Sequence, residues 1–118
     1  MRILKKASPF VAGTVAAALF LGSATAEAAS QTTTLSNGCR ITGANGVYGT
    51  PFAATQHVSN CATVQVKLWT TTGYDQKGYT SVPAGSSLSV FVGGNGLYSD
   101  HNGTGTSNPT AWGFRLYL

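Results

Sequence analysis

The side chains able to carry acid–base, nucleophilic or metal chemistry are few: His57 and His101, the carboxylates Glu27, Asp75 and Asp100, and the cysteines Cys39 and Cys61. Paired-carboxylate hydrolysis needs two acids in one cleft. Asp75 and Asp100 instead fall among turn-forming residues, where Asp is favoured by its hydrogen bonds to the backbone. His57, Asp100 and some serine make a triad by count alone, and no G-x-S-x-G elbow presents a nucleophile. Two cysteines and two distant histidines lack the ligand spacing of a zinc site. Gly93-Gly94-Asn95-Gly96-Leu97-Tyr98 follows a calcium nonapeptide repeat until its sixth position, which needs Asp and holds Tyr98. Asp100-His101-Asn102-Gly103 offers too few oxygen ligands for a calcium loop. The inventory reads as that of a protein that is not an enzyme and holds no cofactor or metal. Asn102-Gly103-Thr104 is formally a glycosylation sequon, with meaning only in a host that uses that route.

The elements that must position these residues begin after an export signal. Arg2, Lys5 and Lys6 form a positive n-region, Phe10 to Leu21 is an apolar run, and Ala26-Glu27-Ala28 is an A-x-A cleavage pattern. Residues 1–28 are therefore read as a signal peptide and 29–118 as one secreted, extracellular domain; a cut after Ala24-Thr25-Ala26 is the alternative. The apolar run is shorter than the roughly 20 residues of a membrane span. Beyond residue 28 the charges are Arg40, Lys67, Lys77 and Arg115 against Asp75 and Asp100, four against two, a net of +2. Four scattered cations are not the dense basic stripe of a nucleic-acid binder, so no nucleic-acid partner is expected. In an exported chain with a small core, Cys39 and Cys61 are most simply one disulfide, with two free thiols as the alternative.

Cys61-Ala62-Thr63-Val64-Gln65-Val66-Lys67-Leu68-Trp69 alternates apolar and polar and is the clearest strand signal. Gln31 to Leu35 reads as an edge strand, Cys39 to Thr42 as a short strand after an Asn37-Gly38 turn, and Lys77 to Val82 and Ser87 to Val92 as further strands. Ala111 to Leu118 closes the chain as the last strand. Gly43 to Asn60 and Ser99 to Pro109, rich in small and polar residues, are expected to be loops. The pattern predicts an all-β, six-stranded antiparallel sandwich or barrel of immunoglobulin-like Greek-key type. Its core would come from Val64, Val66, Leu68, Val82, Leu88, Val90, Val92, Trp112, Phe114 and Leu116. Opposite that core lie Gln65, Lys67, Trp69, Phe91, Arg115 and Tyr117, a mixture of aromatics and cations that would suit a protein or carbohydrate contact. The expectation is that Trp69, Phe91 and Tyr117 instead fill a second layer or lie under loops.

From Cys61 onward the chain resembles the secreted microbial α-amylase inhibitors of the tendamistat type. The resemblance rests on Thr63-Val64-Gln65-Val66-Lys67, on Tyr79-Thr80-Ser81-Val82-Pro83-Ala84-Gly85 and on Gly94-Asn95-Gly96-Leu97-Tyr98, with a cysteine pair before them. It implies a six-stranded sandwich that plugs an enzyme's cleft, acting as a monomer on a secreted glycoside hydrolase such as an α-amylase. The family's Trp-Arg-Tyr inhibitory triplet maps onto Gly46, Val47 and Tyr48, so that only the tyrosine matches. Gly78 and Tyr117 stand about where the family's second disulfide would be. The implied contact surface is the Cys39–Cys61 loop around Tyr48, Val47 and Gly46, with Arg40, Phe52 and His57 as replacement anchors. A second reading is an exported antimicrobial or cell-envelope protein that binds a cell-surface glycan and inhibits no enzyme.

Overall fold

The computed structural model describes residues 26–118, with side chains from residue 29 onward. The proposed signal peptide therefore lies almost wholly outside the described residues. Eight strands are present: β1 Ala26–Thr34, β2 Arg40–Tyr48, β3 Thr50–Ser59, β4 Cys61–Thr70, β5 Gly73–Thr80, β6 Ser87–Phe91, β7 Gly96–Gly105 and β8 Trp112–Tyr117. They form two four-stranded sheets, ordered β1-β2-β3-β6 and β5-β4-β7-β8, with every pairing antiparallel. The described residues contain no helix, and so none long and apolar enough to cross a membrane.

Strand β4 behaves as its alternation requires. Val64, Val66 and Leu68 are fully buried between the sheets, and the intervening residues face out. One cluster gathers Leu35, Cys39, Ile41, Cys61 and Val64, with Val82, Leu88 and Phe114 packed against it. A second gathers Ala53, Val66, Leu68 and Val90, with Leu88, Val92 and Leu118 alongside. Trp112 departs from the expected core. It opens the edge strand β8, has no outer strand to cover it, and is 48% exposed.

Two expected loops are strands, which raises the count from six to eight. Gly43 to Asn60 belongs to β2 and β3, a long hairpin in continuous register from Ile41↔His57 to Tyr48↔Thr50. Ser99 to Gly105 belongs to β7, an inner strand of the second sheet. Both were obscured because their inward positions hold small or polar residues rather than aliphatic ones. On β7 these are Ser99, His101, Gly103 and Gly105, all buried. Two glycines allow close packing there. A β-carbon on Gly43 would run into the His101 ring, and one on Gly103 would run into the Cys39 sulfur.

The disulfide Cys39–Cys61 is formed, with its α-carbons 4.4 Å apart. The turn leading into it is built as Asn37-Gly38 predicts. Gly38 takes a positive φ of 89°, the Leu35 amide donates to the Cys39 carbonyl at 2.8 Å, and Asn37 Oδ1 accepts from the Cys39 amide at 2.9 Å. Asn37 Nδ2 then reaches across to the carbonyls of Gly103 (2.8 Å) and Thr110 (2.7 Å), which ties the cysteine-bearing turn to the second sheet. A disulfide of this kind is compatible with an oxidising, extracellular location.

Candidate functional site

The residues between the cysteines form a finger. Cys39 lies just before β2 and Cys61 opens β4, so the disulfide closes the base of the β2–β3 hairpin. At the far end Val47 pairs with Pro51, Tyr48 pairs with Thr50, and the chain turns at Gly49, whose φ is 78°. Of the six residues expected to form a contact, two share this tip with exposed side chains: Val47 is 44% and Tyr48 52% exposed. Gly46 is next in line but buried, paired opposite Phe52. Phe52 is fully buried and packs its ring against Phe91 at 6.0 Å, so it is not a surface anchor. Arg40 begins β2 at the base of the finger and donates to Thr34 Oγ1 at 2.7 Å. Eight residues of extended chain, on the order of 25 Å, separate it from Tyr48. His57 is also at the base, its ring held between the Val82 carbonyl (2.6 Å) and the Cys61 amide (3.1 Å). The amide makes Nε2 an acceptor, which places the ring proton on Nδ1 toward Val82.

The outer face of the second sheet is a different kind of surface. Tyr74 on β5, Trp69 on β4, Tyr98 on β7 and Tyr117 on β8 stand in one register row across all four strands. Their ring centroids are 6.1 Å, 4.9 Å and 5.8 Å apart in that order. The row beside it is Gln76, Lys67, Asp100 and Arg115. Lys67 Nζ sits 4.4 Å from the Trp69 ring centre and 4.1 Å from that of Tyr74. The Arg115 guanidinium sits 4.0 Å from Tyr98 and 5.3 Å from Trp69. Arg115 grips Asp100 with two hydrogen bonds, Nε to Oδ1 at 2.8 Å and Nη2 to Oδ2 at 3.1 Å. That ion pair holds the guanidinium charged well above its ordinary range. A third row pairs Gln65 with Asn102, whose Nδ2 donates to Gln65 Oε1 at 2.8 Å.

This face corrects the expectation of a second buried layer. Trp69 and Tyr98 are half-buried by their neighbours in the row, while Tyr74 and Tyr117 are 57% and 66% exposed. Phe91 belongs to the other sheet and is itself 40% exposed. Sequence alternation had found Trp69, Lys67, Arg115 and Tyr117. It missed Tyr98 and Asp100 because the strand carrying them looked like a loop, and it missed Tyr74 because Gly73 and Asp75 looked like a turn.

A third polar group lies in the core. His101 is fully buried, with Nε2 2.7 Å from Ser99 Oγ and Nδ1 2.8 Å from Thr55 Oγ1. Asn45 Nδ2 donates to Ser99 Oγ at 2.9 Å and to the Leu116 carbonyl at 3.2 Å. Burial pulls the His101 pKa down to about 3, outweighing the nearby Asp100 carboxylate. The serine–histidine contact has a nucleophile's geometry, but Ser99, His101 and Thr55 have no exposed surface to meet a substrate. Its work is to satisfy polar groups between the sheets. His57 and Asp100 are not brought together, one at the base of the finger and the other on the outer face of the second sheet. Among the described residues no group of three or more His, Cys, Asp or Glu side chains gathers. A concavity of about 360 Å³ near the disulfide is lined by Asn37, Gly38, Asn60, Thr106 and Ser107, none of them ionisable. Comparison with known proteins finds no family model, no curated protein and no solved structure that matches the chain.

Proposed function

We propose that the chain is an exported, non-catalytic binding protein that blocks a glycoside hydrolase or a similar secreted enzyme with the tip of its β2–β3 finger. The observation that supports this reading is the finger itself: a hairpin stapled at its base, carrying Val47 and Tyr48 at an exposed end. Gly46, Val47 and Tyr48 hold the positions that map onto the inhibitory triplet of the tendamistat-like family, and the paired four-stranded sheets are read as an immunoglobulin-like Greek key. A preorganised hairpin tip loses little entropy on entering a cleft. One exposed aromatic in place of three anchors makes the interaction weaker than that family's, because affinity concentrates in few side chains. The test is inhibition of a panel of α-amylases by residues 29–118, with Tyr48→Ala alongside. Inhibition that disappears in the variant supports the reading. No inhibition at micromolar concentration by the unaltered protein removes the amylase target.

The second reading, an exported antimicrobial or cell-envelope-binding protein without inhibitory activity, is favoured by a different surface, the aromatic face of the second sheet.

A further inference from the structure

The outer face of β5-β4-β7-β8 has an order that packing does not require. Its outward side chains run in rows across the strands: aromatic (Tyr74, Trp69, Tyr98, Tyr117), then polar and charged (Gln76, Lys67, Asp100, Arg115), then amide (Gln65, Asn102). No aliphatic side chain interrupts these rows. We propose that this face is a binding site for an extended polysaccharide, lying across the strands along the aromatic row.

The chemistry of the rows selects the ligand. A pyranose presents an apolar C–H face and a rim of hydroxyls that both donate and accept hydrogen bonds. Tyr and Trp offer a flat apolar body for the first, with a polar edge left in water. Lys67 and Arg115 as donors, Asp100 as acceptor and Gln65, Gln76 and Asn102 as both suit the second. The aromatic row crosses four strands, on the order of 15 Å at ordinary strand spacing, which is room for several linked rings rather than one. The rings are also held in place before any ligand arrives. Trp69 touches Tyr74 and Tyr98, and Lys67 and Arg115 each span two rings. Such preorganisation favours binding by lowering the ordering cost.

Charge and polarity weigh against the other macromolecules. A protein contact of this size would have an apolar centre depleted of charge, whereas here the charged row adjoins the rings directly. Single-stranded nucleic acid also stacks on aromatics but needs a positive groove along its backbone. This face carries two cations, and Arg115 is already neutralised by Asp100. A neutral or weakly acidic glycan fits the balance.

The experiment is a depletion isotherm of the purified protein on insoluble cellulose, chitin, granular starch and bacterial cell-wall sacculi. It is repeated with Trp69→Ala, Tyr98→Ala, Tyr74→Ala, Tyr117→Ala and Tyr48→Ala. Retention on at least one polysaccharide is expected. Its affinity should fall about tenfold or more for Trp69→Ala and Tyr98→Ala, and measurably for the exposed Tyr74→Ala and Tyr117→Ala, which leave the core untouched. Tyr48→Ala, at the finger tip, should bind as the unaltered protein does, which keeps this site separable from the inhibitor reading. Retention on none of the polysaccharides overturns the proposal. So does retention that all four face variants preserve, or capture of a single-stranded oligonucleotide or a protein in place of glycan.

Discussion

The imidazole of His101 occupies the space that a β-carbon on Gly43 would fill, so the two sheets meet at this point through a ring on one side and bare backbone on the other. The ring cannot step aside cheaply, because Thr55 and Ser99 hold both of its nitrogens. Gly43→Ala is therefore expected to destabilise the fold by about 1–3 kcal/mol, the usual cost of overpacking a filled core. Urea denaturation of the variant checks this. An unchanged midpoint would mean that the sheets separate more easily than the contact implies.

The same histidine makes stability depend on pH with a definite sign. Its pKa lies near 6.5 when unfolded and is lowered to about 3 by burial in the native state. Above pH 6.5 both states hold the ring neutral, and the group adds no pH dependence. Between about 6.5 and 3 the unfolded chain takes up a proton that the folded chain refuses, so stability falls as pH falls. The slope approaches about 1.4 kcal/mol per pH unit. His101→Gln should be less stable at pH 8 yet lose this component of the slope. The comparison of unfolding free energy against pH for the two proteins isolates it from the carboxylates, which titrate in both.

What the sequence made legible follows the chemistry of the inward positions. Strand β4 could be read because Val64, Val66 and Leu68 alternate with polar residues, and the disulfide because two cysteines in a chain that reads as exported have few other uses. Strand β7 alternates just as regularly in burial, but Ser99, His101, Gly103 and Gly105 carry no hydrophobic signal. They are buried by hydrogen bonding and close packing rather than by apolarity. The β2–β3 finger was hidden in the same way by Gly43, Asn45, Ala53 and Thr55. Half of the aromatic face was then out of reach, since a residue's partners across a sheet are unknown until the register is. Phe52 and Arg40 were plausible anchors only while the finger was thought to be a loop. Once it is a hairpin, Phe52 is seen to be fully buried beside Phe91, and strand length puts Arg40 at the wrong end.

Removing the staple tests how far the finger depends on it. Cys39 and Cys61 are both buried in a core cluster, and their bond closes the hairpin they flank. The double replacement Cys39→Ala/Cys61→Ala should cost about 3 kcal/mol, chiefly by releasing the unfolded chain from a closed loop. The expected readout is a lower denaturant midpoint for the variant and for the reduced wild-type protein alike. A shift confined to the variant would assign the loss to the missing sulfur atoms in the core.

Two glycines on opposite edges of the second sheet should respond in opposite directions. Gly113 on β8 lies where a β-carbon would meet both the Asn102 side chain and the His101 carbonyl oxygen. The Asn102 amide can swing away, at the expense of its bond to Gln65, but the carbonyl is backbone, so β8 itself must shift. Gly113→Ala is expected to destabilise by about 1–3 kcal/mol. Gly78 on β5 has open space around the same position and no positive φ. Gly78→Ala should be neutral or stabilise by up to about 1 kcal/mol, since it restricts the unfolded chain without a clash. Thermal unfolding of the two single variants decides the matter, and a Gly113→Ala protein as stable as Gly78→Ala would show that β8 tolerates displacement from its neighbour.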